Sequence, residues 1–149
     1  MSAGSANAVE LAITDSADPA LREAIDRAID RYNDDKMGFA GNQRTLVIPV
    51  RETLNGSVAG GLWGYTYARW LYIHLFVLPE SLRGQGLGTR IMRMAEEEAV
   101  RRNCVGIFLD TFSFQARPFY ERLGYQVFGT LEDFPPGHSR YFMRKLIAA

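Results

Sequence analysis

The chain lacks several features that would assign it to a large class of proteins. Cys104 is its only cysteine, so no disulfide can form within the chain, and we expect a reducing compartment, the cytoplasm. Lysine plus arginine and aspartate plus glutamate number 17 each, so the zero formal net charge predicts no broad attraction to nucleic acid or to an anionic membrane. No apolar run approaches the roughly 18 residues that span a bilayer, so we expect no membrane insertion.

Composition and length indicate one globular domain. The 149 residues are 47% hydrophobic and 23% charged, which is ordinary for such a domain. Residues 1–8 are mostly small or polar, and we expect them to form a flexible N-terminal tail rather than a signal peptide. The domain is then expected to occupy residues 9–149.

Hydrophobic periodicity predicts the element order β, α, three or four antiparallel strands, α, β, α, β, β. Asp18 and Pro19 form a helix cap and a first helical position, and Pro49 indicates an edge strand or a bulge. The short apolar run after Cys104 indicates a central strand that is covered on both faces. The predicted strands cover residues 9–14, 44–52, 57–67, 70–78, 104–109, 125–130 and 141–147, and the predicted helices cover residues 19–36, 89–101 and 115–123.

A glycine-rich segment, residues 83–88 (Arg-Gly-Gln-Gly-Leu-Gly), follows a predicted strand and opens a predicted helix. Glycine allows a tight turn and a close approach of backbone N–H groups to a ligand, and the helix N-terminus adds unpaired N–H groups. The segment therefore predicts an anion site suited to a pyrophosphate. It is not a nucleoside triphosphate loop, because Thr89 and Arg90 follow Gly88 without a lysine. It is not a dinucleotide fingerprint either, because the sixth position counted from Gly84 is Thr89.

The spacing does match Arg/Gln-x-x-Gly-x-Gly/Ala, the acetyl-CoA signature of the GCN5-related N-acetyltransferase (GNAT) superfamily, which this segment resembles. A second segment, residues 116–125 (Ala-Arg-Pro-Phe-Tyr-Glu-Arg-Leu-Gly-Tyr), is similar to the family's A-x-x-F/L-Y-E-x-L-G-F pattern. The resemblance covers about the C-terminal half of the chain. It implies an α/β (α+β) fold with a mixed, mostly antiparallel central sheet, flanked by helices on both faces, in a single domain.

The resemblance also implies a donor, acetyl-CoA, and no metal. Acetyl-CoA is expected in a V-shaped gap between the strand that ends near Val77 and the strand that begins at Cys104. Ser113 stands where the family often has an asparagine that helps to hold the cofactor, and its hydroxyl has a shorter reach. The residues expected to bind the cofactor are Phe76, Val77, Leu78, Arg83, Gly84, Gln85, Gly86, Leu87, Gly88, Thr89 and Ser113.

Two residues are candidates for catalysis. Tyr120 stands where the family motif has the tyrosine that faces the CoA sulfur, and a protonated phenol is able to donate there; the alternative is a packing aromatic. His74 lies on the strand that leads into the CoA site and is a candidate general base, since imidazoles exchange protons near neutral pH. It is equally compatible with a hydrogen-bonded histidine in the sheet or one on the opposite face. Asp110 is a second candidate base, His138 is expected in a loop or lid, and ordered waters are a further route for the proton.

The acceptor side is expected to use Trp63, Tyr72, Asp110 and Phe134, with Tyr72 on the face of His74 by strand periodicity. Glu132 and Asp133 either attract a cationic amine or form a solvated turn. The predicted function is acetyl transfer from acetyl-CoA to a primary amine, directly in a ternary complex, and the abundance of aromatic residues favours a small molecule. A protein or peptide N-acetyltransferase and a non-catalytic CoA-binding module are the alternatives. A homodimer is also compatible with the predicted edge strands.

Overall fold

The computed structural model describes residues 8–147, which divide into two units at the boundary between Phe39 and Ala40. The tail predicted for residues 1–8 lies outside the described residues except for Ala8. The first unit contains helix α1 (Pro19–Met37), and the side chain of Asp18 accepts a hydrogen bond from the N–H of Ala20 at 3.0 Å. The predicted cap is therefore confirmed. Among residues 8–147, no helix combines the length and the apolarity that crossing a membrane requires.

The strand predicted for residues 9–14 is wrong. This segment has no strand assignment, and the side chains of Val9, Leu11 and Ile13 are all more than four-fifths exposed. The alternation that suggested a strand is present, but alternation stabilises a strand only when its apolar face packs against other residues and its backbone pairs with a neighbour.

The second unit contains a six-stranded sheet with the spatial order β1-β2-β3-β4-β6-β5. The pair β3–β4 is parallel and every other pair is antiparallel, which confirms the mixed, mostly antiparallel sheet. Pro49 lies on the edge strand β1, where its missing N–H is tolerated. The strands are β1 (Arg44–Arg51), β2 (Val58–Tyr67), β3 (Trp70–Val77), β4 (Gly106–Phe112), β5 (Gln126–Glu132) and β6 (Ser139–Leu146), and the helices of this unit are α2 (Leu87–Arg101) and α3 (Arg117–Arg122).

One hydrophobic core joins the sheet to α2 and α3. The core face of the sheet includes Leu71 and Ile73 of β3 and Ile107 and Leu109 of β4, and all four are at most 2% exposed. Helix α3 contributes Tyr120 to this core, so α2 and α3 cover the same face. The members from α2 are Ile91, Met92, Ala95 and Ala99. This packing fixes the start of α2 next to the end of β3.

The parallel strands β3 and β4 separate part-way along their length. Their pairing runs from Trp70 and Gly106 to Ile73 and Leu109 and stops there. Beyond that point β3 pairs only with β2, and β4 pairs only with β6. The result is an opening between the ends of β3 and β4, at the place where the family resemblance implied a V-shaped gap.

A β-bulge interrupts the regular pairing of β3 with β2 at the edge of this opening. Trp63 of β2 pairs with Leu75, whereas its neighbour Gly64 pairs with Ile73, so His74 is the extra residue of a β-bulge. A Cβ atom on Gly64 would overlap the carbonyl oxygen of Tyr72 and approach the Cα of Ile73 to 3.3 Å. The glycine therefore permits the close approach of the two backbones that the bulge requires.

We expect Gly64→Ala to lower the free energy of unfolding by about 1–3 kcal/mol, because the added methyl group has no space against the β3 backbone. The control is Gly129→Ala in β5, where an added Cβ would lie 3.9 Å from the nearest atom, the Cβ of Phe142. Urea denaturation of both variants and the wild type measures the difference. An equal loss of stability in the two variants would contradict the role of Gly64.

Candidate active site

The glycine-rich segment folds into a turn that enters α2. Gly84 and Gly86 have φ angles of 75° and 79°, in the left-handed region that favours glycine. Gly86 is the N-cap residue of α2, and its carbonyl accepts the first helical hydrogen bond, from the N–H of Arg90 at 3.1 Å. Gly88 lies against the ring of Phe119, where an added Cβ would come within 3.3 Å of the ring. The three glycines thus serve two needs, a tight turn and close packing of α2 on α3.

The backbone of this segment offers a run of unused donors. Within residues 8–147, the N–H groups of residues 84–89 donate to neither a backbone nor a side-chain acceptor. These groups stand at the N-terminal, electropositive end of a 15-residue helix. The donor set fits the oxygens of a pyrophosphate, which is the group that the sequence predicted here.

The side chains of the segment fold back onto the protein. Arg83 Nε donates to the carbonyl oxygen of Leu78 at 3.0 Å, and Gln85 Nε2 donates to the carbonyl oxygen of Ser81 at 3.2 Å. Both bonds stabilise the loop between β3 and α2. Because both side chains are bonded to the loop, the donors left at the predicted phosphate site are backbone N–H groups. The carbonyl oxygen of Leu78 already accepts one hydrogen bond, from Arg83.

The end of β3 forms one wall of the opening. Phe76 points to the core side and packs on Phe119, with ring centroids 6.3 Å apart. Val77 pairs with Gly61 of β2, which leaves its other backbone edge towards the separated strand β4. Phe76, Val77 and Leu78 therefore lie along the opening, and the predicted donor-binding residues 83–89 form the turn that follows it.

Tyr120 is buried beneath this wall. It is 6% exposed, and its ring packs edge-on against Phe119 and Tyr125 at 5.2 and 5.9 Å. Burial, followed by the negative charge of Asp110, raises the pKa of Tyr120 to about 12. The phenol is therefore protonated throughout the neutral range and available as a hydrogen-bond donor.

The opposite face of the sheet carries a polar and aromatic group of residues at the same opening. The rings of Tyr72 and His74 stack at 5.8 Å, so the two residues share a face as the strand periodicity predicted. The Tyr72 hydroxyl donates to Asp110 Oδ2 at 2.8 Å. Burial, followed by this hydrogen bond, raises the pKa of Tyr72 to about 12. His74 itself is exposed at the bulge.

Arg140 of β6 completes this group. Its Nε and Nη2 atoms lie 2.9 and 2.6 Å from Asp110 Oδ1, which gives an ion pair. Its guanidinium also lies over the ring of Phe134, 5.1 Å from the centroid. No sequence motif marks Arg140, which stands 30 residues from Asp110.

Other predicted site residues lie further from this group. Trp63 is half exposed on β2 and makes no ring contact with Tyr72 or His74. Ser113 accepts a hydrogen bond from the N–H of Ser139 at 3.1 Å, which ties the end of β4 to the start of β6. Its O–H hydrogen is left to donate to a ligand.

Two residues predicted for the site make local contacts in the loop between β5 and β6. Asp133 Oδ1 accepts a hydrogen bond from the N–H of Gly137 at 2.9 Å, so Asp133 stabilises the turn. His138 is exposed and packs edge-on against Phe114 at 4.9 Å. Both observations describe a structured surface loop. Within the described part of the chain, no three histidine, cysteine or acidic side chains gather in a way that would hold a metal ion.

Comparison with known proteins identifies the family of this fold and site. The model of the Acetyltransferase (GNAT) family matches residues 10–125. The chain belongs to the GNAT acetyltransferase family. The turn at residues 83–88 and the segment around Tyr120 both lie within the matched range. The enzyme class is therefore acetyltransferase, as the two sequence motifs predicted.

Individual relatives agree with this assignment. The chain is 38% identical to acetyltransferase Atu2258 of Agrobacterium fabrum over 133 residues, which cover 89% of the chain and 96% of the relative. It is 37% identical to blasticidin-S acetyltransferase of Streptomyces morookaense over 91 residues, or 60% of the chain and 67% of the relative. A crystal structure of an acetyltransferase from Bacillus cereus matches with a TM-score of 0.73 and 30% identity over 91% of the chain and 97% of the relative. The GNAT fold is thus confirmed.

The raised pKa of Tyr120 predicts a change of stability at alkaline pH. The unfolded chain loses the phenolic proton near pH 10, whereas the folded GNAT domain holds it until about pH 12. The difference between a pKa of 10 and one of about 12 corresponds to about 2.7 kcal/mol of unfolding free energy, which is retained below pH 10 and lost as the pH rises through 12. We expect Tyr120→Phe to lose less unfolding free energy than the wild type between pH 10 and 12. Parallel pH profiles in urea denaturation would contradict the burial of this phenol.

Proposed function

We propose that this acetyltransferase moves the acetyl group of acetyl-CoA directly to a primary amine of a small molecule in a ternary complex. The observation that carries the proposal is the opening between β3 and β4, which has unused backbone donors at one end and Tyr120 beneath it. The donor brings an acetyl group activated as a thioester. The residues of the chain then have to bind the donor, admit the amine and stabilise the departing sulfur.

Binding of the donor is assigned mainly to backbone groups. The free N–H groups of residues 84–89 fit the pyrophosphate, and the unpaired edge of β3 near Val77 fits an extended chain with amide groups. The O–H of Ser113 is a further donor at the far wall. These backbone groups are fixed by the sheet and by α2 before the donor arrives, which lowers the cost of ordering them.

Tyr120 is assigned to the leaving group. A phenol with a pKa of about 12 is a weaker acid than an ordinary thiol, whose pKa is about 8.5, so complete proton transfer to the thiolate is uphill. A hydrogen bond from the phenol still stabilises the negative charge that develops on the sulfur. The role follows from the burial of Tyr120 and from its position in the family motif.

The acceptor is assigned to the opposite face, around Tyr72, His74 and Asp110. His74 is exposed at the bulge and is the residue of this group best placed to take a proton from the incoming amine. The blasticidin-S acetyltransferase named among the relatives supports a small-molecule acceptor. A cytoplasmic location and a homodimer remain predictions from the sequence.

An amine panel tests the proposed reaction. The purified protein is incubated with acetyl-CoA and, one at a time, small primary amines, peptides with free N-termini and lysine-containing peptides, and free thiol is followed. We expect amine-dependent thiol release with at least one small amine and the acetylated amine by mass spectrometry. Release with peptides alone would favour a peptide acetyltransferase. Binding of acetyl-CoA without release for any amine would favour a non-catalytic module.

Removal of a single hydroxyl group tests the role of Tyr120. We expect Tyr120→Phe to lower kcat at least about tenfold, since it removes the donor to the sulfur, and to leave the KM for acetyl-CoA within about twofold. The matched control is Tyr125→Phe, a second buried tyrosine whose hydroxyl lies 3.1 Å from Glu96. This control is expected to lose stability but to keep its kcat. Undiminished turnover in Tyr120→Phe would exclude the assigned role.

A further inference from the structure

We propose that Arg140 is a positioning residue for the acceptor amine. In this view Arg140 holds the Asp110 carboxylate behind Tyr72, and the Tyr72 hydroxyl oxygen accepts a hydrogen bond from the amine. The inference rests on the proposed function and deepens it, because it names the groups through which that site recognises an N–H donor. Three sets of contacts carry it.

The first set shows that Asp110 acts through its neighbours. Its Oδ2 atom accepts from the Tyr72 hydroxyl at 2.8 Å, and its Oδ1 atom accepts from Arg140 Nε at 2.9 Å. The Asp110 side chain is only 13% exposed. Both carboxylate oxygens are therefore in use, and Asp110 is suited to orienting Tyr72 rather than to touching the acceptor itself.

The second set shows that Arg140 is held in one place. Its guanidinium lies 5.8, 5.1 and 5.3 Å from the ring centroids of Phe112, Phe134 and Phe142. These rings come from β4, the β5–β6 loop and β6, so three parts of the fold restrict the side chain. Aromatic faces stabilise a guanidinium, and their shape limits its rotamers. The ion pair with Arg140 offsets part of the cost of removing the Asp110 side chain from water.

The third set shows that the Tyr72 hydroxyl oxygen is available to accept a hydrogen bond from the amine. Because its hydrogen is directed to Asp110, the remaining lone pairs of the phenolic oxygen are available only to donors. Its ring is held between those of His74 and Phe108, at 5.8 and 4.8 Å. Donation to a carboxylate strengthens the oxygen as an acceptor for a further hydrogen bond. An amine or ammonium N–H is a donor of the kind that this oxygen accepts.

The chain of contacts from Arg140 through Asp110 and Tyr72 to the amine is called the relay below. A double-mutant cycle tests it. With an acceptor from the amine panel, we expect Asp110→Asn to lower kcat/KM for the amine about tenfold, as for loss of one hydrogen bond to a charged group. In a Tyr72→Phe background the same substitution is expected to cost less than about twofold, because Asp110 no longer has the hydroxyl to orient. The KM for acetyl-CoA is expected to stay within about twofold of the wild type in all variants.

Substitutions of Arg140 supply a second test, which compares kcat/KM among variants and remains informative if a variant is less stable. Arg140→Gln is expected to lower kcat/KM for the amine, and Arg140→Lys to recover most of that loss by restoring the charge. The matched control is Arg144→Gln, four residues along β6, whose guanidinium lies over Phe128 instead. Thermal unfolding of each variant shows that it is folded at the assay temperature.

The outcomes separate the two proposals. A wild-type protein that transfers no acetyl group overturns the proposed function and this inference with it. With an active wild type, equal costs of Asp110→Asn in both backgrounds overturn the relay. The relay is likewise overturned if Arg140→Gln and Arg144→Gln have the same effect, or if the loss appears in the KM for acetyl-CoA. The relay is supported if Asp110→Asn costs little in the Tyr72→Phe background and if Arg140→Lys recovers most of the loss seen in Arg140→Gln.

Discussion

The separation of β3 and β4 after Ile73 and Leu109 is the feature on which the rest of the site depends. Two parallel strands that stop pairing leave backbone N–H and C=O groups facing each other across a space too wide for direct hydrogen bonds, and such groups need partners. On one side of this space lies the core with Tyr120, and on the other lies the group of Tyr72, His74 and Asp110. The proposed reaction uses this opening as the place where a donor and an acceptor from opposite faces of the sheet meet.

Asp110 connects the two faces electrostatically. It occupies the first β4 position beyond the last pair with β3, it accepts the hydroxyl of Tyr72, and its charge contributes to the raised pKa of Tyr120. Burial is the main cause of the raised pKa of both phenols, Tyr72 and Tyr120, and the Asp110 carboxylate adds to it in each case. The positive charge of Arg140 balances the negative charge of Asp110. The Asp110 carboxylate therefore accepts from Tyr72 without being an unpaired anion.

Local signals in the sequence predicted local structure well. The cap at Asp18, the glycine turn that enters α2 and the edge position of Pro49 each depend on a few neighbouring residues, and each was confirmed. Contacts between distant residues were harder to predict. Tyr72 and Asp110 are 38 positions apart, and no motif marks their pairing, although the shared face of Tyr72 and His74 followed from alternation. The strand predicted for residues 9–14 failed because alternation alone does not supply a partner.

The two halves of the site differ in what holds them. The half assigned to the donor consists of backbone groups whose positions follow from glycine φ angles, from the start of α2 and from the edge of β3. The half assigned to the acceptor consists of side chains on β3, β4 and β6, held by an ion pair and by aromatic rings. Side chains on one face of a sheet are replaceable without disturbing its backbone pairing. Because the half assigned to the donor rests on backbone and the half assigned to the acceptor rests on side chains, the glycine turn bears on the donor and carries no information about the amine.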